Sequence, residues 1–311
     1  MEYQTVDLEA KTVVISLNPN SGAKDQATLA TQLSEELEKR GLEVVTLTDI
    51  ELVKATVGEL NGNTDSPRRL RAVVAAGGDG TVSLLVNSLP VGTPIAILPL
   101  GTENLLAKYL SLAAVPKAIA EMIVDGKLVK LDAGSANGHL FLVMASCGFD
   151  ADVVHRLHST RKGHIQHWSY AKPIFGAIGQ YRYPTIRIWA DGEDKPVKAK
   201  WTFVFNVPRY AMNLPFVQDA DPQDGKLDLL TFRGGNLLRG LFYLFTVLIR
   251  RHRSWKYAKH QQVPQFRMES DEAVPYQLDG DPGGVLPVEI KVVPGRLSML
   301  VPKDWDKTGS K

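Results

Sequence analysis

The chain has 311 residues, 44% apolar and 23% charged, with a formal net charge of +2. That balance belongs to a folded globular protein and excludes a disordered, collagenous or fibrous one. So small a net charge provides no global field for nucleic acid, so no nucleic acid is expected, and any anionic partner has to be held by a local patch. The single cysteine, Cys147, excludes an internal disulfide and fits a reducing compartment, with the cytoplasm as the expected location.

The length predicts two domains of roughly 150 residues each. Met1 to Lys11 carries Glu2, Asp7 and Glu9 and lacks the basic, then apolar, pattern of a secretory signal, so a short leading arm is expected. Thr12 to Leu17 reads as a buried strand. Leu29, Leu33 and Leu37 recur at helical spacing until Gly41 stops that helix, and Val44 to Thr48 follows as a strand. After a second helical stretch and a loop with Pro67, Ala72 to Ala76 is a strand, Val82 to Leu89 a helix and Ile95 to Leu98 a strand. This alternation predicts a parallel sheet covered by helices.

From about Asp132 the pattern turns to strands and hairpins. Asn137-Gly138 separates two apolar runs, and Thr185 to Trp189, Trp201 to Val207, Leu227 to Phe232 and Glu289 to Val293 read as strands of a mostly antiparallel domain. Two helical inserts interrupt it, Asp152 to Tyr181 and Asn236 to Trp255, the second ending in Arg250-Arg251-His252-Arg253. The longest apolar run, Leu241 to Ile249, is nine residues, less than half of a bilayer span, so a membrane can be touched but not crossed. Lys303 to Lys311 is polar and expected to fray.

Parallel sheets bind ligands at the C-terminal ends of their strands, and three loops here stand at such ends. Asn18-Pro19-Asn20-Ser21-Gly22 offers small residues before a helix start, suited to an anion or to an ordinary turn. Gly77-Gly78-Asp79-Gly80-Thr81 is more specific. Its glycines leave room for a phosphate, Thr81 can cap the next helix, and Asp79 makes sense there if a magnesium ion stands between acid and phosphate. In Leu98-Pro99-Leu100-Gly101-Thr102-Glu103-Asn104, Thr102 can cap a helix that begins near Asn104 or face a nucleotide.

These three loops, in this order and spacing, closely resemble the catalytic-domain signature of the diacylglycerol kinase and sphingosine kinase family. The resemblance continues through Leu131-Asp132-Ala133-Gly134, Gly148-Phe149-Asp150, Asp224-Gly225-Lys226-Leu227-Asp228 and Leu278-Asp279-Gly280-Asp281, from about Lys11 to Pro302. It implies a Rossmann-like α/β nucleotide-binding domain over 11–132, a mostly antiparallel β-sandwich over 133–294, an active site in the cleft between them, and a return of 295–302 to the first domain. It also implies ATP and Mg2+ as cofactors. Asn18, Thr48, Gly77, Gly78, Asp79, Gly80, Thr81, Val82, Ser83, Thr102 and Asn104 would line the ATP site, with Asp79 beside the phosphates and magnesium. NAD kinases share the glycine-acid turn, whereas the Gly101 to Asn104 loop looks like the lipid kinases.

A lipid hydroxyl attacks a γ-phosphate better when a carboxylate accepts its proton. By motif match that base is Asp281, where the family usually has glutamate; a polar Asp-Gly turn is the bland alternative. The resemblance further implies a structural magnesium on Asp224, with Asp221 and the Lys226 carbonyl as companions and Asp132 in a carboxylate network towards the metal. Asp219 to Leu230 lacks the closing glutamate of a calcium loop. His155, His158, His164 and His167 have metal-like spacing, but the interleaved Arg156, Arg161 and Lys162 favour a basic surface near a substrate entrance. The implied partner is a lipid taken from a membrane surface, which makes the chain peripheral there. Nothing in the sequence decides between a monomer and a homodimer. Tyr210-Ala211-Met212-Asn213-Leu214 departs from the glycine-rich family segment and leaves the lipid's identity open. A nucleotide-binding regulatory protein with little transfer activity is the alternative from another class.

Overall fold

The structure is a computed structural model that describes residues 4–5, 7, 9–18, 26–62, 68–160, 181–190, 193–208, 214, 216–249, 251 and 257–307. The chain divides into two compact units, Met1–Leu131 with Gly295–Lys311, and Asp132–Pro294. In chain order the first contains β1 (Gln4–Thr5), β2 (Thr12–Leu17), α1 (Gln26–Glu38), β3 (Glu43–Leu47), α2 (Ile50–Gly62), β4 (Leu70–Gly77), α3 (Asp79–Ser88), β5 (Pro94–Pro99), α4 (Leu105–Tyr109), α5 (Pro116–Asp125) and the start of β6 (Lys127–Ala136).

Strands β3, β2, β4 and β5 lie side by side in that order, all parallel. Ser298 and Met299, from the far end of the chain, add a parallel neighbour beside Pro94 and Ile95. Every residue of β4 is buried. A strand covered on both faces needs apolar side chains at nearly every position, which is why this segment reads as a run rather than an alternation. On one face Leu33 and Leu37 of α1 and Ile119 and Ile123 of α5 pack with Val13, Ile15, Val74 and Leu98. The exception in β4 is Arg71, a buried guanidinium that donates to the carbonyls of Ile123, Val124 and Asp7. Two of these carbonyls belong to the last turn of α5, where the helix dipole favours a cation.

The second unit continues with β7 (His139–Phe141), β8 (Met144–Gly148), α6 (Phe149–Thr160), β9 (Ile186–Ala190), β10 (Val197–Ala199), β11 (Trp201–Phe205), β12 (Leu227–Phe232), α7 (Leu237–Leu248), β13 (Ala258–Val263), β14 (Gln265–Glu269), β15 (Pro275–Leu278), β16 (Asp281–Val285) and β17 (Val288–Val301), whose last residues belong to the first unit. One antiparallel sheet runs β13-β12-β11-β8-β15-β16. A second pairs β10, β9, β14 and the first residues of β17. Ala145, Cys147, Val204 and Leu229 of the first share one core with Ile188, Phe266, Met268 and Ile290 of the second. The unit is therefore a β-sandwich, joined to an α/β unit in one chain.

Among the described residues the expected strands are present with boundaries moved by a few residues, and the two helical inserts are seen as α6 and α7; residues 161–180 of the first insert, and Arg250 and 252–255 of the second, lie outside the described residues. Some features were not anticipated. Helix α5 starts with Pro116 and ends before Gly126, a start and stop pattern that the sequence does carry. The leading arm holds β1, paired antiparallel with Leu128 and Lys127. Trp305 is buried and lies edge-on to Tyr109, so the segment expected to fray is held down over its described part. Among the described residues no helix is long and apolar enough to cross a membrane.

Cys147 is buried in the centre of β8, and burial pushes its thiol far above the usual cysteine range. A thiol that is neither ionised nor accessible reacts slowly. In native buffer near pH 7.5 the protein should take up no thiol-specific chromophore over minutes, and one equivalent after denaturation; rapid native labelling would contradict the packing of this sheet.

Candidate active site

The first group of residues stands at the C-terminal ends of the parallel strands. Asn18 follows β2; its backbone N–H donates to the Ala76 carbonyl at 3.2 Å and its side-chain amide to Thr81 Oγ1 at 3.4 Å. Pro19 to Gly22 lie outside the described residues. Thr48 follows β3 and is exposed, while its neighbour Asp49 caps α2 through the N–H groups of Glu51 and Leu52.

Gly77 ends β4, and Gly78 is the N-cap of α3 with extended backbone and no side-chain cap. Thr81 is buried inside the helix, beside Asn18, and is not the cap that the sequence suggested. Val82 is buried, and the Ser83 carbonyl accepts from Asn87.

The turn 77–81 and the loop 98–104 are stitched together by backbone. Leu100 N–H donates to the Gly77 carbonyl at 2.9 Å. A Cβ on Gly101 would stand 2.5 Å from the Gly78 Cα and 2.8 Å from Asn104 Oδ1. Gly101 therefore requires glycine for close approach, and a Cβ on Gly78, 3.1 Å from the Gly101 Cα, would have little slack. Asn104 has a left-handed backbone, and its side-chain amide accepts from Gly101 N–H at 2.9 Å and donates to Gly101 O at 2.7 Å. This closes the loop on itself, while Thr102 stays exposed at its tip.

Asp79 completes the junction. Its two carboxylate oxygens accept the N–H groups of Leu105, at 2.8 Å, and Leu106, at 3.0 Å, at the start of α4. Burial raises its pKa, and these two bonds oppose the rise. The acid in the glycine turn thus caps a helix 26 residues further on, a use that no local sequence pattern announces. Helix α4 is capped by Asp79, not by Thr102. A carboxylate oxygen has two lone pairs, so each retains one beyond its amide bond.

The second group belongs to the sandwich unit. Asp132 is 4% exposed; its N–H donates to the Pro222 carbonyl at 2.7 Å and its carboxylate accepts Gly225 N–H at 2.9 Å. Asp221 accepts from Gln223 N–H, and Asp224 from Lys226 N–H. Asp132, Asp221 and Asp224 thus shape a single loop, with Lys226 at its end. Partial desolvation raises the Asp224 pKa, and the charges of Asp221 and Asp228 add to the rise. Among the described residues no three carboxylate, histidine or cysteine side chains converge on one metal position. Two carboxylates and a carbonyl, in a locally negative field, nonetheless fit magnesium, which takes one or two carboxylates and keeps waters.

Asp281 opens β16 and is exposed. It follows the two-residue turn Asp279-Gly280, whose φ values of 51° and 92° are those of a tight hairpin. Asp279 accepts the N–H groups of Leu142, Val143 and Met144 at 2.7, 2.8 and 3.0 Å. Gln277, 2% exposed, accepts Gly280 N–H at 2.8 Å and donates to Ser146 Oγ at 3.0 Å, which in turn donates to Asp150. The roles of Gln277 and Ser146 are not visible in the sequence, for the two lie 131 residues apart and carry no local pattern. His155 Nε2 is 3.1 Å from the Tyr276 carbonyl and His158 is exposed, while His164, His167 and residues 210–213 lie outside the described residues.

Gly101→Ala should force the two loops apart, because the obstructing atom is backbone. We expect a lower melting temperature and at least about tenfold weaker ATP binding by calorimetry, as even a displacement near 1 Å is costly at such a site. Unchanged affinity would remove this junction from the nucleotide site.

Comparisons with known proteins agree with this fold. The Diacylglycerol kinase catalytic domain profile matches residues 12–136, and the YegS C-terminal NAD kinase beta sandwich-like domain profile matches 143–301. A diacylglycerol kinase of Staphylococcus carnosus (strain TM300) is 25% identical over 302 residues, spanning 94% of this chain and 96% of that one. One of Staphylococcus epidermidis (strain ATCC 12228 / FDA PCI 1200) is 26% identical over 297 residues, spanning 93% and 92%. Two solved structures from Bacillus anthracis str. Sterne, described as a diacylglycerol kinase and a putative diacylglycerol kinase, share the fold. Their TM-scores are 0.68 and 0.70 at 18% and 20% identity, over 98% of this chain and 100% of each of theirs. Matched from the second strand to the last by two domain profiles that occur here in tandem, the chain belongs to the diacylglycerol kinase catalytic-domain family.

Proposed function

We propose that the chain is a lipid kinase that transfers the γ-phosphate of ATP to a hydroxyl of a diacylglycerol-like or sphingoid lipid. The observation that carries this reading is the junction of the 77–81 and 98–104 loops, where paired glycines bare the backbone and Asp79 spends its charge on two amides. Such a surface suits phosphate oxygens, and the family supplies the acceptor class.

In this reading the first unit holds ATP through Asn18, Thr48, Gly77 to Ser83, Thr102 and Asn104. The second unit carries the base. Asp281 takes the proton of the lipid hydroxyl as its oxygen bonds to the γ-phosphorus, while the bond from phosphorus to the bridging oxygen breaks and ADP leaves with that electron pair. Magnesium, when bound, neutralises charge developing on the phosphate oxygens; Asp79 has lone pairs to hold it directly or through water. Asp221, Asp224 and the Lys226 carbonyl would hold a second, structural ion, with Asp132 bracing their loop. Gln277 and Asp279 fix the hairpin that presents Asp281.

ATP consumption should be measured with diacylglycerol, a sphingoid base, a long-chain alcohol and NAD as acceptors, in wild type and Asp281→Asn. We expect one lipid to be phosphorylated and the variant to lose about 10²- to 10⁴-fold in rate, the usual contribution of a general base. Equal turnover would remove Asp281 from the mechanism. Transfer to NAD alone would overturn the lipid reading, and ATP binding without any transfer would favour a regulatory protein.

Magnesium should raise the melting temperature of the wild type, and Asp224→Ala should abolish that response while leaving ATP binding to the first unit. An undiminished response in the variant would discard the structural ion.

A further inference from the structure

The strand that carries Asp281 is weakly held by its own ladder. Pro282 stands opposite Gln277 and has no N–H to give, Gly283 and Gly284 follow, and the register of β15 against β16 shifts between Tyr276 and Gln277. A shift of this kind interrupts the pairing and re-aims the side chains beside it. The place of Asp281 therefore depends on side-chain bonds to the turn before it.

One chain of hydrogen bonds reaches that turn from helix α6. Asp150, in the first turn of the helix, accepts from Ser146 Oγ at 2.5 Å. Ser146 accepts from the Gln277 side-chain amide at 3.0 Å, and Gln277 Oε1 accepts Gly280 N–H at 2.8 Å. The two ends leave one direction open. A backbone N–H can only donate and a carboxylate only accept, so the Gln277 amide has one way round and the Ser146 hydroxyl one hydrogen position. Gln277 and Ser146 are 2 and 1% exposed, so bulk solvent does not compete for these bonds, and buried bonds in series strengthen one another. The same helix holds the preceding residue. His155 Nε2 lies 3.1 Å from the Tyr276 carbonyl, which can only accept, so this nitrogen carries the hydrogen. Helix α6 thus grips β15 at two successive residues, one on each side of the register shift.

We propose that Asp150, acting through Ser146 and Gln277, is a positioning residue for Asp281. It sets the turn before the base, and with it the line along which Asp281 meets the acceptor hydroxyl; an error of about 1 Å there costs on the order of a hundredfold in rate. A brace that only joined α6 to the sheet would change the melting temperature and leave turnover per folded molecule alone. The inference rests on the assignment of proton transfer to Asp281.

The polarity of the chain supplies the test. In Gln277→Glu the side chain can still accept Gly280 N–H, but it has nothing to donate and sets a second carboxylate against Asp150. Adding Asp150→Asn reverses the chain, the asparagine amide donating to Ser146 and the Ser146 hydroxyl to the glutamate. With the acceptor that wild type phosphorylates, we expect Gln277→Glu to lose at least about tenfold in kcat with KM for ATP unchanged, and the double variant to recover to within about threefold of wild type. Amide exchange of Gly280, followed by NMR without nucleotide or lipid, should quicken in Gln277→Glu and slow again in the double variant. If Gln277→Glu does not fold, Ser146→Ala is measured for the same loss of kcat at unchanged KM. Full kcat in the single variants, a loss that the double variant does not recover, or Gly280 exchange untouched by either change would overturn the proposal. If Asp281→Asn were as active as wild type, or wild type phosphorylated no lipid, the lipid-kinase reading would fall and this inference with it. A loss in Asp281→Asn beside full kcat in Gln277→Glu would bring down this inference alone.

Discussion

The arrangement of the nucleotide-side loops depends on one interaction, the Asp79 carboxylate on the amides of Leu105 and Leu106. An anion at a helix N-terminus is favourable in itself. Here it also joins two loops that leave neighbouring strands, β4 and β5, so the register of the parallel sheet is carried into the geometry of the site. Leu100 N–H on Gly77 and the contact of Gly78 with Gly101 extend the same junction. None of these contacts uses a side chain larger than Asp.

In the sandwich unit acids are used the same way. Asp279 collects three amides, Asp132 holds the 221–226 loop, and Asp221 and Asp224 each turn back on an amide two residues on. A carboxylate that accepts backbone N–H groups fixes the chain more firmly than a neutral acceptor would. Asp281, whose carboxylate accepts no backbone N–H among the described residues, differs from all of these, and it is the one to which the proposed function assigns proton transfer.

How much of this was legible in sequence follows from the range of the interactions. Thr12 to Leu17 and Ala72 to Ala76 are strands that any reader finds, because both faces are buried and the apolar run is unbroken. The glycine-rich loops are visible because close approach forbids a side chain. The cap that Asp79 makes is invisible, since its helix is only five residues long and lies 26 residues away. Gln277, Ser146 and Asp150 look like unremarkable polar residues until the sheet brings β8 beside β15. Asp79 was expected to face a metal because a turn did not explain an acid there. The fold supplies an explanation that needs no metal, and the two uses are compatible because each oxygen keeps a lone pair.

The parallel sheet takes its last strand from the far end of the chain, where Ser298 and Met299 pair with Pro94 and Ile95. Between these two stretches of sequence stands the whole second unit. Closing so long a loop costs conformational entropy before the pairing offsets it. During synthesis, then, the first unit waits with one edge of β5 unpaired until the second unit has been made.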